Sequence, residues 1–272
     1  AAFEELAAAL IKMKDLVGAR SALESALNLV PEDRTAILAM ANLESLEGTP
    51  GKAEARLRNL VERYPSDLAL LNLLADNLAE QGKQVLAIDT YQRIIQLNPS
   101  SAEAYNDLGL ALQKKEDISS ATNMFKKAIS LDPAFVEPRI NLGNIYLTSR
   151  IYSDASAQYQ KALELKADNP LAHYNLGLTY TGLENPEGAM AEYNLAIKYD
   201  PQFANAYYAM GLLYQNKNEI DLAVPAFEKY LSLDPTGPYS DSVKTTLERL
   251  KPGSTGTPNG VGDSTGAAPG AG

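Results

Sequence analysis

The chain of 272 residues has no cysteine, no tryptophan and a single histidine. Without cysteine there is no disulfide scaffold, thiolate zinc site, iron–sulfur cluster or Cys nucleophile. The compartment stays open, cytoplasmic or periplasmic, because a Cys-free chain tolerates either redox poise. One histidine leaves no room for a multi-His metal site, and no metal or cofactor is expected. No apolar run of the sequence approaches the roughly 20 residues that span a bilayer, which argues against direct membrane insertion. Basic residues are scarce, 24 against 34 acidic, for a formal net charge of −10. That balance argues against non-specific nucleic-acid binding and against attraction to an anionic lipid surface. The sequence carries no secretory signal. Ala1 already lies inside a helical pattern without an initiator Met, which reads as a processed or truncated start.

Catalytic motifs are missing as well. There is no GxGxxG, HExxH or EF-hand loop. Gly48-Thr49-Pro50-Gly51-Lys52 superficially looks like a phosphate loop, but its spacing is wrong and Ala53 stands where Ser or Thr is needed. His173 falls on a helix-pairing face, which suits a packing residue with one hydrogen bond better than a general base. Lys126-Lys127 and Arg56–Arg58 read as solvated charge on second helices. We therefore expect no enzyme within these residues.

What the sequence does have is a period. Ala19, Ala53, Ala87, Ala121, Ala155, Ala189 and Ala223 are each 34 residues apart. Pro31, Pro65, Pro99, Pro133, Pro201 and Pro235 keep the same register, with Ala167 as the departure. Twelve places before each alanine stands a small residue: Ala7, Ala41, Ala75, Gly109, Gly143, Gly177 or Gly211. Four places after it stands a large one: Leu23, Leu57, Tyr91, Phe125, Tyr159, Tyr193 or Phe227. Within a unit, Tyr105, Leu108, Gly109 and Leu112 form one helical stripe, and Ala121, Met124, Phe125 and Ala128 form a second. A polar break at Lys115–Asp117 separates them, and Pro133 ends the second. Each unit is thus two amphipathic helices whose small residues permit close approach.

This pattern resembles the tetratricopeptide repeat (TPR) family. The resemblance covers units 1–33, 34–67, 68–101, 102–135, 136–169, 170–203 and 204–237, without insertion or deletion. It implies an all-α fold, a right-handed α-solenoid of seven helix-turn-helix units. Arg139 and His173 at position 4 of a unit, and Glu44 at position 11, depart from the pattern and suggest locally irregular packing. Val243, Leu247 and Leu250 predict a capping helix over 238–251. Segment 252–272, rich in Gly, Pro, Ser and Thr, predicts a disordered tail.

In the resembled family the inner surface comes from the first helix of each unit, and extended segments bind along it. Positions 2, 6, 9 and 13 lie half a turn from the helix-pairing face. Over the first five units this stripe holds six acids and two bases, including Asp76, Glu80, Glu103, Asp107 and Glu137. The last two units hold no charge there; Asn175 and Asn205 stand beside leucines, with Tyr174 and Tyr208 adjacent. Asn141 and Asn175 occupy position 6 of successive units, where an amide can both donate to and accept from a peptide backbone. The expected groove therefore comprises Asp76, Glu103, Asp107, Glu137, Asn141, Asn144, Asn175, Asn205, Tyr174 and Tyr208. Asn205 and Ala209 stand where a carboxylate-binding TPR groove has Lys or Arg, which argues against capture of a C-terminal carboxylate.

The function expected from these residues is a protein-interaction scaffold, non-enzymatic, that takes a neutral or basic extended segment of a protein partner. Two alternatives share the groove: the substrate-recruiting region of a larger enzyme such as a protein glycosyltransferase, or an assembly factor of a bacterial envelope or secretion machine. The convex face is a further place for contacts, including self-association.

Overall fold

Helix ends are written into the sequence at the same place in every unit. The computed structural model describes residues 2–250; the segment 252–272, expected to be disordered, lies outside the described residues. Fifteen helices and no strands are found among the described residues. They pair as α1 (Ala2–Lys12) with α2 (Leu16–Leu29), α3 (Arg34–Leu46) with α4 (Pro50–Arg63), α5 (Leu68–Glu80) with α6 (Gln84–Leu97), and α7 (Ala102–Lys114) with α8 (Ile118–Leu131). There follow α9 (Glu137–Thr148) with α10 (Tyr152–Leu165), α11 (Pro170–Gly182) with α12 (Pro186–Tyr199), α13 (Ala204–Asn216) with α14 (Ile220–Leu233), and a last helix, α15 (Ser240–Leu250). First helices start at Arg34, Leu68, Ala102, Pro170 and Ala204, the expected unit starts; α9 starts one residue late, at Glu137.

Capping side chains set four of these starts, whereas α9 and α13 begin without one. Asp33 accepts hydrogen bonds from the Thr35 and Ala36 amides at 2.8 and 3.1 Å, and Asp67 does the same for Ala69 and Leu70 at 3.0 and 3.2 Å. Ser101 and Asn169 cap α7 and α11. Each first helix ends on one left-handed residue, and these are again 34 apart: Lys14, Gly48, Gly82, Glu116, Arg150, Glu184 and Asn218. The next amide then reaches back five residues, as from Asp117 to Leu112 at 3.0 Å and from Ile151 to Tyr146 at 2.8 Å. That bond satisfies a carbonyl the helix leaves open and turns the chain into the second helix.

The chain divides into two compact units, Ala1–Pro133 and Ala134–Gly272. In unit 1, α3 packs on α2 and α1, α5 on α4, and α7 on α6. In unit 2, α11 packs on α10 and α9, α13 on α12, and α15 on α14. Both are stacks of helix hairpins, the all-α solenoid arrangement. In unit 2, Val243 and Leu247 of α15 join Phe227 and Tyr230 in one cluster, so α15 covers the apolar side of α14.

Inside each hairpin one contact sets the spacing. A Cβ built on Gly109, Gly143, Gly177 or Gly211 would fall 2.6, 2.7, 2.4 or 2.6 Å from the ring of Phe125, Tyr159, Tyr193 or Phe227. The two helices approach until the ring lies on bare backbone. The departures from the pattern are absorbed locally. Glu44, expected to disturb packing, is 1% exposed, with both carboxylate oxygens held by Arg56 Nε at 2.9 and 3.0 Å. Arg56 is thus not the purely solvated charge expected; it neutralises a buried acid. Arg58, also expected to be solvated, binds Glu54 at 2.9 Å. Lys83, Arg58 and Gln81 together hold the Glu54 carboxyl at about 2, with Lys83 the largest cause.

Two expectations follow for stability. Gly177→Ala puts a methyl group against a Tyr193 ring with nowhere to go. It should cost about 1–3 kcal/mol, whereas Gly51→Ala, with open space around it, should not; urea denaturation of both variants reads the difference. At the left-handed turn, Gly82→Ala should lower stability and Arg150→Gly should raise it, each by about 1 kcal/mol. Equal midpoints for these variants and the parent chain would contradict a conformational origin.

Candidate functional site

Positions 9 and 13 of the third unit and 6, 9 and 13 of the fourth converge on one cavity of unit 1. It holds about 570 Å³ and is lined by Asp76, Ala79 and Glu80 from α5, Gln84 and Tyr91 from α6, and Asp107, Leu110, Ala111, Gln113 and Lys114 from α7. Asp76 and Glu80 are exposed and Asp107 is half-buried. The Tyr91 hydroxyl donates to Asp76 Oδ1 at 2.6 Å, which fixes that carboxylate at the cavity edge. Burial chiefly raises the Asp107 carboxyl; Asn106, donating at 3.2 Å, opposes the rise, and Asp76 and Glu103 add to it, for a value of about 6. Lys114 is the one basic residue of the lining.

The distribution of cations sharpens this picture. Among the described residues, the ion pairs of unit 1 engage Glu24, Glu32, Glu44, Glu47, Glu54 and Asp67. None of them reaches Asp76, Glu80, Glu103 or Asp107. A second cavity, of about 310 Å³, also borders α5, and its lining holds two bases, Arg58 and Arg93, beside two acids, Glu62 and Asp89. The first cavity thus carries three carboxylates, none in an ion pair among the described residues, against one base, Lys114, beside the apolar Ala79, Leu110 and Ala111. No set of three His, Asp or Glu side chains among the described residues is grouped as a metal ion requires.

The expected asparagine grips of unit 2 are placed differently. Asn175 is 0% exposed. Its Nδ2 donates to Asn144 Oδ1 at 2.9 Å, and the same oxygen accepts from the Tyr159 hydroxyl at 2.6 Å. Asn175 is therefore corrected from a surface grip to an internal tie between α11 and α9. The reason is that α11 packs on both α9 and α10, closing over its own position 6. Tyr174 is corrected likewise: it is 3% exposed, wedged between Tyr193 and Phe203 with ring centroids 5.9 and 5.2 Å away. Tyr208 stacks on Tyr239 at 4.3 Å, so much of its ring is spent on the packing of α15. Asn141, Asn144 and Asn205 are half-buried and Glu137 is exposed on α9. Of the ten residues expected in a groove, the cavity of unit 1 gathers Asp76 and Asp107, with Glu103 close enough to act on Asp107.

Tyr91 and Gln84, from second helices, were not anticipated. A signal for Tyr91 exists in the sequence. Where position 24 is Tyr91 or Tyr159, position 9 is Asp76 or Asn144, and the hydroxyl binds it. Where position 24 is Phe125 or Phe227, position 9 is Leu110 or Leu212. Tyr193 faces Leu178 in this sense and turns instead to Thr181, at 3.1 Å.

His173 has two hydrogen-bond partners rather than one. Nδ1 lies 2.7 Å from Glu192 Oε2 and Nε2 lies 2.9 Å from the Ala167 carbonyl, while Tyr199 stacks on the ring. Two of the irregular positions of the repeat pattern, Ala167 and His173, are thus joined by a hydrogen bond.

Profiles of two repeat families match the sequence: "TPR repeat" over residues 75–116, 152–184 and 183–218, and "Tetratricopeptide repeat" over 102–135 and 204–236. No curated protein sequence matches significantly. Solved structures do. A tetratricopeptide repeat protein from Parabacteroides merdae superposes with a TM-score of 0.67 at 18% identity, covering 91% of this chain and 97% of that one. MamA superposes at 0.55 with 27% identity over 60% of this chain and 95% of its own. YrrB, a TPR protein with an unusual peptide-binding site, superposes at 0.55 with 22% identity over 70% of this chain and 97% of its own. Repeat, fold and matches agree: the chain belongs to the tetratricopeptide repeat family. Its architecture is that of a protein-interaction scaffold, and TPR proteins typically bind protein or peptide partners.

Both partners of His173 are acceptors, so only the doubly protonated ring donates to each. Burial opposes this charge, but the Glu192 bond and the Ala167 carbonyl outweigh it and raise the His173 value. As the chain has a single histidine, one NMR titration should give a value above the ordinary 6.5 or so. The linked stability is full below the unfolded value and is lost as pH rises through the folded one. Glu192→Gln should bring the titration back down; an unmoved midpoint would show that the carboxylate does not set it.

Proposed function

We propose that this protein recruits an extended, Lys- or Arg-bearing segment of another protein along the first helices of unit 1, and that the segment's cationic side chain enters the cavity of α5, α6 and α7. The observation that carries this reading is the set of carboxylates, Asp76, Glu80 and Asp107, which make no ion pair among the described residues and outnumber the cavity's one base, Lys114, around an apolar floor. A Lys or Arg side chain matches both parts: its methylenes lie on Leu110 and Ala111 and its head meets the acids. A small metal ion fits less well, since the carboxylates are not grouped for coordination. The peptide-binding site of YrrB supports the general mode in a related fold. No catalytic role is assigned to these residues. Asp107 serves as a charge that a cation unlocks, and binding, not turnover, is its output.

An array of extended peptides, otherwise identical and bearing Lys or Arg, neutral residues, or Asp or Glu at the centre, tests the charge preference. Basic peptides should bind best, and binding should weaken as salt screens the charges. Affinity should also rise with pH. Asp107 titrates near 6 when empty, and a bound cation pulls that value down, so a proton is released on binding. Between pH 5 and pH 7.5 the gain should be about tenfold, and Asp107→Asn should remove it while leaving the helical circular dichroism unchanged. Equal binding of basic, neutral and acidic peptides would overturn the assignment.

A further inference from the structure

The cavity of α5, α6 and α7 has acceptors to spare and few donors. Asp76 Oδ1 takes the Tyr91 hydroxyl at 2.6 Å and Asp107 Oδ1 takes an amide proton of Asn106 at 3.2 Å, which leaves the second oxygen of each carboxylate for a ligand. Glu80 lies one turn beyond Asp76 on the same wall. A fourth acceptor is neutral. Gln84 opens α6, and its Nε2 donates to the Ala79 carbonyl at 3.2 Å, one of the carbonyls that α5 leaves open at its end. That bond fixes which way the amide points, because the reverse would set oxygen against oxygen. Gln84 Oε1 is buried and accepts no hydrogen bond. Such an orphan is uncommon in a folded chain, and it marks a place where a donor is missing.

We infer that the cationic side chain taken by this cavity is arginine rather than lysine, an inference that rests on the function proposed above, and that Gln84 sets the preference. Two physical differences between the cations select arginine. The first is donor count. An ammonium offers three donors from one point, whereas a guanidinium offers five along the edges of a plane. The acceptors stand on three helices, as carboxylates of α5 and α7 and the amide oxygen of α6. A planar fork can give one edge to a carboxylate and still supply the donor that Gln84 lacks. The second is hydration. Burial is the chief cause that raises the Asp107 carboxyl, so water already reaches that wall poorly. Guanidinium is the more weakly hydrated cation and gives up less on entering. Lys114 repels both cations and does not choose between them.

Peptides that differ only in the central side chain separate these points. Arginine, lysine and asymmetric dimethylarginine carry the same charge, but the methylated side chain keeps only three of the five donors; a neutral peptide is the reference. Fluorescence anisotropy with the full chain should show arginine binding about tenfold tighter than lysine or dimethylarginine. Gln84→Met keeps the length of the side chain without its acceptor. It should lower the arginine-to-lysine ratio by about threefold or more at unchanged helicity. Equal affinity for arginine and lysine, both above the neutral peptide, would overturn the inference and leave the proposed function standing. No advantage of either over the neutral peptide would overturn both. Dimethylarginine as tight as arginine, or an unchanged ratio in Gln84→Met, would each overturn the inference by showing that the donors or Gln84 do not decide.

Discussion

A ring lying on a glycine backbone is the constraint on which the array depends. Gly109, Gly143, Gly177 and Gly211 have no room for a methyl group, and their partners Phe125, Tyr159, Tyr193 and Phe227 are all nearly or fully buried. Interiors pack at crystal-like density, so a fixed ring sets the distance between the helices rather than merely filling it. The left-handed turn then fixes where the second helix starts, and at Asp33, Asp67, Ser101 and Asn169 a capping side chain fixes where the next unit starts. Spacing inside the hairpin and the length of its connections together make a period of 34 without insertion. Any departure must therefore be settled on the spot. Glu44 is settled by Arg56, and His173 by Ala167 and Glu192.

The same ring decides which polar groups are left for a partner. When position 24 is tyrosine, its hydroxyl needs an acceptor at depth. Tyr91 and Tyr159 take position 9 of the neighbouring helix, on the stripe that faces outward, while Tyr193, facing Leu178 there, takes Thr181. In unit 2 this spends Asn144 and, through it, Asn175 on internal cohesion. In unit 1 the acceptor is Asp76, whose carboxylate has capacity beyond one hydrogen bond and remains exposed. An amide and a carboxylate at equivalent positions thus do opposite things: one closes the stack, the other keeps a charge at the surface.

Most of the fold was legible because each packing residue repeats seven times, so that a single exception cannot hide the pattern. The helix hairpins, their starts and the small-to-large pairing all follow from Ala19, Gly109, Phe125 and their equivalents. The site was legible only in part. Helical geometry placed Asp76, Glu103 and Asp107 on one outward stripe, and two of them, Asp76 and Asp107, line the candidate cavity. It could not tell that α11 would close over Asn175 while α7 would leave Asp107 half open. Both sit at position 6, and the difference lies in the neighbouring hairpin, not in the helix that carries them. Charge bookkeeping failed for a related reason. Arg56 and Arg58 look solvated when read along one helix, and only contacts from another element or the next turn show that they are committed to Glu44 and Glu54.

That commitment explains why an acidic cavity persists in unit 1. Burying Glu44 and Glu54 demands cations, because a buried carboxylate without a partner is costly. Arg56, Arg58 and Lys83 are drawn to that task, and Arg20 and Arg34 to Glu47 and Asp67. With few bases in the chain, Asp76, Glu80, Glu103 and Asp107 on the outward stripe make no ion pair among the described residues, and Lys114 is the one base in the cavity lining. Water can stabilise Asp76 and Glu80, which are exposed, but it reaches Asp107 poorly, and the rise of that group toward neutrality is the mark of an unmet charge. An unmet charge in a fixed cavity is stored preference for a cation. On the function proposed above, a partner's cation would turn it into binding energy, and a neutral or acidic segment would gain nothing from it. The packing of the core and the charge left on the surface are in this sense linked, settled by which acids the helices bury first.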